Sequence, residues 1–219
     1  LLPERAYFPS SLRQTEFNQP SMLTADTSIY KLLTRLGVKP DLVMGHSLGE
    51  YAALISSGIM NFDDALRAVS ARGREMQDLP IDDPGKMASV STDWTKVEEV
   101  LEGVDGYVIA ANKNCHLQTV IAGSSDAVDS AIEKFNEAGI DAFRIPVSHA
   151  FHSGVVAPVK GILRDYLSKL EINPPSIPIL SNVTAGYYPM EGDPASIKEE
   201  ILDLLKEQVA STVEWMSQV

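Results

Sequence analysis

The chain has 219 residues, 44% hydrophobic and 22% charged, which suits one large domain, or a domain carrying a smaller insert, with a sizeable core. A formal net charge of −12 argues against nucleic acid and anionic membrane as partners, and no apolar run approaches the ~20 residues that span a bilayer. The single cysteine, Cys115, excludes an internal disulfide, fits a cytoplasmic location and is expected to be a packed core thiol. The chain opens on Leu1 without a signal-peptide pattern and reads as a piece of something longer.

Residues 1–20 carry Pro3, Pro9 and Pro20 and no clear period. From Ser21 to Leu36, Met22, Ala25, Ile29, Leu32, Leu33 and Leu36 recur at helical spacing, and Gly37 stops the helix. Leu42-Val43-Met44 reads as a short strand, Gly45-His46-Ser47-Leu48-Gly49 as a sharp turn, and the following segment to Gly58 as a helix. Asn61 to Gln77 is a second amphipathic helix, with Arg72 and Arg74 near its C-terminal end, where cations are favoured. Beyond the break at Asp82-Asp83-Pro84-Gly85, strands are predicted over Met87–Ser91, Tyr107–Ala111, Gln118–Ala122 and Ile140–Pro146. Helices are predicted over Trp94–Leu101 and Asp126–Ala138. That β-α-β-β-α-β order predicts a ferredoxin-like subdomain over 85–146, inserted into a core built from 1–84 and 147–219. The core then continues with a helix over Val155–Leu170, a strand over Ile177–Val183 and a helix over Pro194–Val209, an alternation that predicts a mostly parallel sheet.

Gly-x-Ser-x-Gly between a strand and a helix is the pattern of a nucleophile elbow, in which the turn lifts the Ser47 hydroxyl clear of the backbone. The helix behind it points backbone N–H groups toward charge forming on an attacked carbonyl. The plain alternative is a serine that caps the helix. A base is needed, and there are four histidines. His46 points away from the hydroxyl at a tight turn, and His116 falls in the insert. His149 and His152 precede a helix, where a histidine can also serve as a cap or packing group. No acid is placed to orient an imidazole, so a backbone carbonyl or an amide such as Asn182 is the expected partner.

Taken together, Gly45 to Tyr51, Ala71-Arg72-Gly73-Arg74-Glu75-Met76-Gln77, His149-Ala150-Phe151-His152-Ser153 and Ser181-Asn182-Val183-Thr184 resemble the malonyl-CoA:acyl carrier protein transacylases. Within that family they look most like acyltransferase domains of type I polyketide or polyunsaturated fatty acid synthases. The resemblance runs from about Gln19 to Trp215 and implies an α/β-hydrolase-like core. It implies Ser47 as acylated nucleophile and His152 as its base. Arg72 would grip the free malonyl carboxylate, which a planar guanidinium can hold with two hydrogen bonds; a solvated cation at a helix end is the alternative. Arg72, Leu48, His149, Phe151 and His46 form the expected substrate-binding set, with Leu48 N–H as an oxyanion donor. Gln208 supplies a carbonyl to the histidine, and Phe151 fills the space an α-methyl branch would need, unless it is plain core. Asn182 completes the supporting residues.

The resemblance also implies a Phe-Pro-Gly-Gln-Gly segment on a first strand, carrying a second oxyanion donor, which this sequence lacks. The expected function is malonyl transfer from malonyl-CoA, through a serine ester, to the phosphopantetheine thiol of an acyl carrier protein, beside other domains of a synthase. No metal and no resident cofactor are expected. Two alternatives remain at this stage: a serine hydrolase or editing thioesterase on the same core, and a non-catalytic module that docks carrier proteins.

Overall fold

A computed structural model of the protein describes residues 14–219, a mixed α/β fold with one small antiparallel sheet. Pro3 and Pro9 lie outside those residues. Helix α1 (Thr15–Arg35) starts at Thr15 rather than Ser21 and carries Pro20 inside it. Pro20 has no amide to give the turn before it, and packing of α1 on the two helices that follow offsets that loss.

The apolar stripe that marked α1 in the sequence faces outward: Met22, Ile29, Leu32, Leu33 and Leu36 are exposed, and Thr15, Gln19, Leu23 and Thr27 are buried instead. The buried residues recur every fourth position, so they share one face. That face is polar because its first two residues line a cavity.

Helix α2 (Gly49–Ser57) ends at Gly58, whose φ of 83° is a left-handed cap. Helix α3 (Phe62–Gln77) is capped by Asn61 Oδ1, which accepts from Asp64 N at 2.8 Å. Leu54, Ile59, Met60 and Val69 from this region meet Leu163, Leu167, Ile201 and Leu205 in the main core.

The expected mostly parallel sheet is reduced, among the described residues, to two isolated parallel bridges, Val43↔Ile179 within the core and Asn112↔Val213 between the small sheet and the C-terminal segment. Val43 donates to Pro178 O (2.9 Å) and accepts from Leu180 N (3.3 Å). Pro178 has no amide to extend the ladder. From Leu180 the chain folds back on itself, with Leu180 bridging Tyr187, so Ile177–Val183 forms no strand.

The four-stranded sheet is built from β1 (Lys86–Val90), α4 (Trp94–Leu101), β2 (Val108–Cys115), β3 (Gln118–Gly123), α5 (Ser125–Glu137) and β4 (Ala142–Ile145), in strand order β2-β3-β1-β4 with every pairing antiparallel. Its side chains alternate between faces. Ala88, Val90 and Ile121 pack under α4 and α5 with Val97, Val128 and Phe135. Met87, Val120 and Ala122 turn the other way, onto Ala150 and Phe151. The sheet thus presses on the segment that carries His152.

Three bonds fix that contact: Ala150 N donates to Pro84 O (2.8 Å), Gly154 N to Tyr107 Oη (2.6 Å), and Val213 N to Ala111 O (2.9 Å). Cys115 is exposed rather than packed, because it ends β2 at a hairpin turn that neither helix covers. The helix expected over Val155–Leu170 is broken: a 3-10 turn covers Gly154–Val156, and α6 (Val159–Leu167) starts only after Pro158, which cannot continue a preceding helix. The last long helix is α7 (Pro194–Gln208), with Pro194 at its first turn and Asp193 as its cap. Among the described residues no helix is long and apolar enough to cross a membrane.

Candidate active site

Between the end of the Leu42–Met44 run and the start of α2 the backbone turns through Ser47 at φ 53°, a left-handed value that L-residues with a side chain rarely adopt. Gly45 makes the turn possible, since a Cβ there would overlap the Gly49 carbonyl and Glu50 N. Gly49 itself has open space around it, so of the two glycines of the motif only Gly45 is sterically required.

The strained residue is held on both sides. Asn182 Oδ1 accepts from Ser47 N at 2.6 Å while Asn182 Nδ2 donates to Gly45 O at 2.7 Å. Gln208 Nε2 donates to Ser47 O at 2.7 Å. Among the described residues, the Leu48 N–H has no protein acceptor.

His152 Nε2 lies 2.6 Å from Ser47 Oγ. On its other side, Nδ1 faces the carbonyls of Gln208 (3.1 Å) and Ser211 (3.2 Å). Carbonyls only accept, so Nδ1 carries the hydrogen and Nε2 presents its lone pair to the serine. His152 is buried, with a left-handed φ of 58°. Burial, helped by the charge of Arg72 and by His46, pushes its pKa down to about 3, so the imidazole is neutral and able to accept a proton at neutral pH.

Ser47 and Leu48 open into a cavity of about 370 Å³ that is also lined by Thr15, Gln19, Arg72 and Phe151. Arg72 is 3% exposed, and its Nε has no hydrogen-bond partner among the described residues. Burial lowers its pKa. A buried cation and the serine of a serine–histidine pair on one small cavity suit a ligand that carries both an anion and an electrophilic carbon.

Of the residues picked out from the sequence, Ser47, Leu48, Arg72 and Phe151 meet at this cavity, and His152 stands directly behind Ser47. His46 and His149 do not line it. His46 is exposed and turned toward the small sheet, with Nε2 at 2.8 Å from Asn114 Oδ1 and its ring edge-on to Trp215 at 5.4 Å. At a tight turn, consecutive side chains diverge, and Ser47 takes the cavity side. His149 is buried, bonds Ser148 Oγ through Nδ1 (3.0 Å) and tilts against Phe151. Of the two partners expected for the imidazole, a backbone carbonyl or an amide such as Asn182, carbonyls take it, Gln208 among them, and Asn182 holds the backbone of Ser47.

Two residues escaped the sequence reading. Gln19 is 4% exposed in the cavity wall, with Nε2 3.6 Å from Met76 Sδ and Oε1 unpartnered. The fourfold spacing Thr15, Gln19, Leu23, Thr27 was the available signal. Glu50 is wholly buried and accepts from Asn182 N (3.2 Å) and Tyr188 Oη (2.7 Å). An acid in the first turn of a helix ordinarily faces water near the positive pole, and nothing in its own segment marked the exception.

Among the described residues, no three His, Cys, Asp or Glu side chains cluster to hold a metal ion. The geometry defines a serine–histidine pair beside a cavity that a buried arginine also lines, mounted on a mixed α/β fold.

A family described as "Acyl transferase domain" matches residues 6–209, and the chain belongs to that family. It is 34% identical over 213 residues to the malonyl CoA-acyl carrier protein transacylase of Salmonella typhimurium, covering 95% of this chain and 67% of that protein. It is 35% identical over 175 residues to the PKS-NRPS hybrid synthetase acdB of Aspergillus candidus, where the match covers 79% of this chain but 7% of that far longer protein. The crystal structure of the malonyl CoA-acyl carrier protein transacylase from Clostridium perfringens superimposes with a TM-score of 0.85 at 35% identity, covering 96% of this chain and 66% of that one.

Proposed function

We propose that the protein transfers a malonyl group from malonyl-CoA to the phosphopantetheine thiol of an acyl carrier protein by way of an ester on Ser47. The observation that carries this is the placement of a buried, under-bonded Arg72 and the Ser47–His152 pair on the same cavity. Membership of the acyl transferase family and the transacylase relatives support it.

In the first half-reaction Ser47 Oγ attacks the thioester carbonyl carbon as its proton passes to His152 Nε2. The oxyanion is met by Leu48 N–H at the start of α2. Collapse breaks the C–S bond, and the departing sulfur takes the proton back from Nε2. In the second half, the carrier thiol gives its proton to Nε2, its sulfur attacks the ester carbonyl, and Ser47 Oγ leaves and recovers the proton.

Arg72 holds the malonyl carboxylate and fixes the distance from that carboxylate to the reacting carbon. Phe151, packed against both the main core and the small sheet, narrows the cavity beside the α-carbon. Two carbonyls rather than a carboxylate hold His152. A neutral imidazole whose developing charge has no carboxylate partner is a weaker general base toward water, which suits an ester that must wait for a thiol.

The reading needs no resident cofactor, since the phosphopantetheine arrives on the carrier. It fits a cytoplasmic protein acting beside other domains of a synthase. The order β2-β3-β1-β4 supports a ferredoxin-like unit over 85–146, and the elbow with its parallel Val43↔Ile179 bridge supports a hydrolase-like core over 1–84 and 147–219.

Intact mass after incubation with malonyl-CoA tests the reading. One malonyl adduct is expected on the chain and none on Ser47→Ala. Steady release of free malonate without carrier protein, at the rate of transfer, overturns it in favour of a hydrolase.

A further inference from the structure

We infer that Glu50 is a positioning residue for the Ser47 nucleophile, acting through Asn182 by hydrogen-bond reach rather than by charge. The inference deepens the proposed function and rests on Ser47 being the nucleophile.

Asn182 has three hydrogen-bonding handles at the elbow, and all of them are committed. Its side-chain oxygen takes Ser47 N (2.6 Å), its side-chain nitrogen gives to Gly45 O (2.7 Å), and its backbone N gives to Glu50 Oε1 (3.2 Å). The first two pin the ends of the turn that forces Ser47 to φ 53°. The third fixes Asn182 itself.

Asn182 lies in the segment beyond Leu180 that folds back and belongs to no regular strand, so no ladder holds it in register. Glu214 N holds the Asn182 carbonyl at 2.8 Å from one side, and Glu50 supplies the anchor for its amide on the other, from inside α2, three residues after Ser47. Glu50 Oε1 also accepts from Tyr188 Oη at 2.7 Å. Two donors therefore converge on one carboxylate oxygen, while among the described residues Oε2 makes no hydrogen bond, although the Gln208 side chain also lies near the carboxyl. A carboxyl group kept mainly for its charge would have both oxygens engaged by donors or a cation in contact. Here the nearest charge, Arg72, makes no salt bridge with it. What the site uses is one acceptor atom at a fixed distance. Burial pushes the pKa of this group up to about 7, and Oε1 accepts in either protonation state.

Two conservative variants separate reach from charge. Glu50→Asp keeps the charge and withdraws the acceptor by one methylene; Glu50→Gln keeps the reach and removes the charge. The probes are a fluorophosphonate, which labels an activated serine without malonyl-CoA, and amide hydrogen exchange at Ser47. For Glu50→Asp we expect labelling to fall roughly 10- to 100-fold and Ser47 N–H exchange to rise about tenfold or more, with exchange in α5 and α6 unchanged. Glu50→Gln should stay within about threefold of the parent on both readouts. Tyr188→Phe, which leaves the Glu50–Asn182–Ser47 chain intact, should lower thermal stability while keeping labelling within about threefold.

The opposite order, with Glu50→Gln impaired and Glu50→Asp intact, overturns the inference in favour of a charge effect. Equal loss in Glu50→Asp and Tyr188→Phe, with exchange rising throughout the core, overturns it in favour of a purely structural acid. If malonyl-CoA leaves no adduct but the variants follow the expected order, the substrate reading falls and this one stands. If the parent chain is not labelled at all, the exchange rates at Ser47 decide alone.

Discussion

Replacing Arg72 by alanine tests the division of labour in the cavity most directly. Arg72 is 3% exposed and its Nε has no hydrogen-bond partner among the described residues, so a carboxylate entering the cavity meets a donor already stripped of water. Hydrogen bonds between charged groups are worth about 1.5–3 kcal/mol each. Two of them place the loss for malonyl-CoA at about 3–6 kcal/mol in kcat/KM, or roughly 10²- to 10⁴-fold. A monoacyl thioester such as acetyl-CoA makes neither bond and leaves the cation buried and unpaired. Its rate should therefore hold or rise slightly in Arg72→Ala, and the preference for malonyl over acetyl should collapse by nearly the whole factor.

Rapid-quench measurement of Ser47 acylation by each thioester, with intact mass as readout, gives both rates. A second signature is independent of substrate. The charge of Arg72 helps hold the His152 pKa down at about 3, behind the larger effect of burial, so its removal should raise the imidazole pKa in an NMR titration. Equal falls for malonyl and acetyl would refute the assignment and leave Arg72 as a structural cation.

Other consequences are open to measurement. Gly45→Ala drives a Cβ into the Gly49 carbonyl, where no flexible side chain can yield; a loss of about 3 kcal/mol or more in stability, or an unfolded chain, is expected by thermal melting. Phe151→Ala opens the wall beside the α-carbon, and the discrimination between malonyl- and methylmalonyl-CoA should change by about 1–3 kcal/mol, roughly 5- to 150-fold in the ratio of kcat/KM. An unchanged ratio would make Phe151 ordinary core.

Glu50 and His152 pull stability in opposite directions with pH. Burial raises the Glu50 pKa from 4.5 to about 7, so between those values the folded chain keeps a proton that the unfolded chain has lost, and stability falls as pH rises through that window. The groups facing it are Arg72 on α3, Tyr51 on α2 and Tyr188. Glu50→Gln should then be stabilising at pH 8 relative to pH 5, by up to about 3 kcal/mol, on denaturant titration. His152, with its pKa lowered from 6.5 to about 3, contributes stability that is present above pH 6.5 and lost as pH falls toward 3. His152→Ala should flatten the acid limb of the stability curve.

The legible parts of the chain were those where one local rule acts alone. Trp94–Leu101 was predicted to the residue, because its Asp93 cap and apolar spacing are local signals. The four strands of the small sheet were also placed, since a two-residue alternation survives whatever it packs against. The long-range pairings were not legible. Ile177–Val183 has the composition of a strand, yet Pro178 and the fold-back at Leu180 leave only two isolated bridges, and only a partner segment could reveal that. α1 was found but read with its faces exchanged, because its polar stripe lines a cavity and the cavity is a property of the whole fold.

In the site itself, Ser47, His152 and Arg72 stood out through motifs. Asn182 was one of two partners offered for the imidazole, and the other, a backbone carbonyl, is the one in place; Glu50 was visible only as a letter of the motif, because a buried carboxyl and a surface one look alike in sequence. His46 shares the motif with Ser47 but turns to Asn114 and Trp215, a divergence set by the turn's geometry.

The order in which the ribosome delivers this chain gives the clamp on His152 a timing. Its Nδ1 carbonyls come from Gln208 and Ser211, 56 and 59 residues further along, and Gln208 also supplies the amide that steadies Ser47. At ~5–20 residues per second, a nascent chain carries its nucleophile and its base for about 3–11 s before the residue that braces both has been made. Until then the imidazole is free to take either tautomer and the strained serine has lost one of its two holds. The pair is therefore completed late, after the helices around it can pack, and an incomplete chain lacks the carbonyls that set the imidazole tautomer.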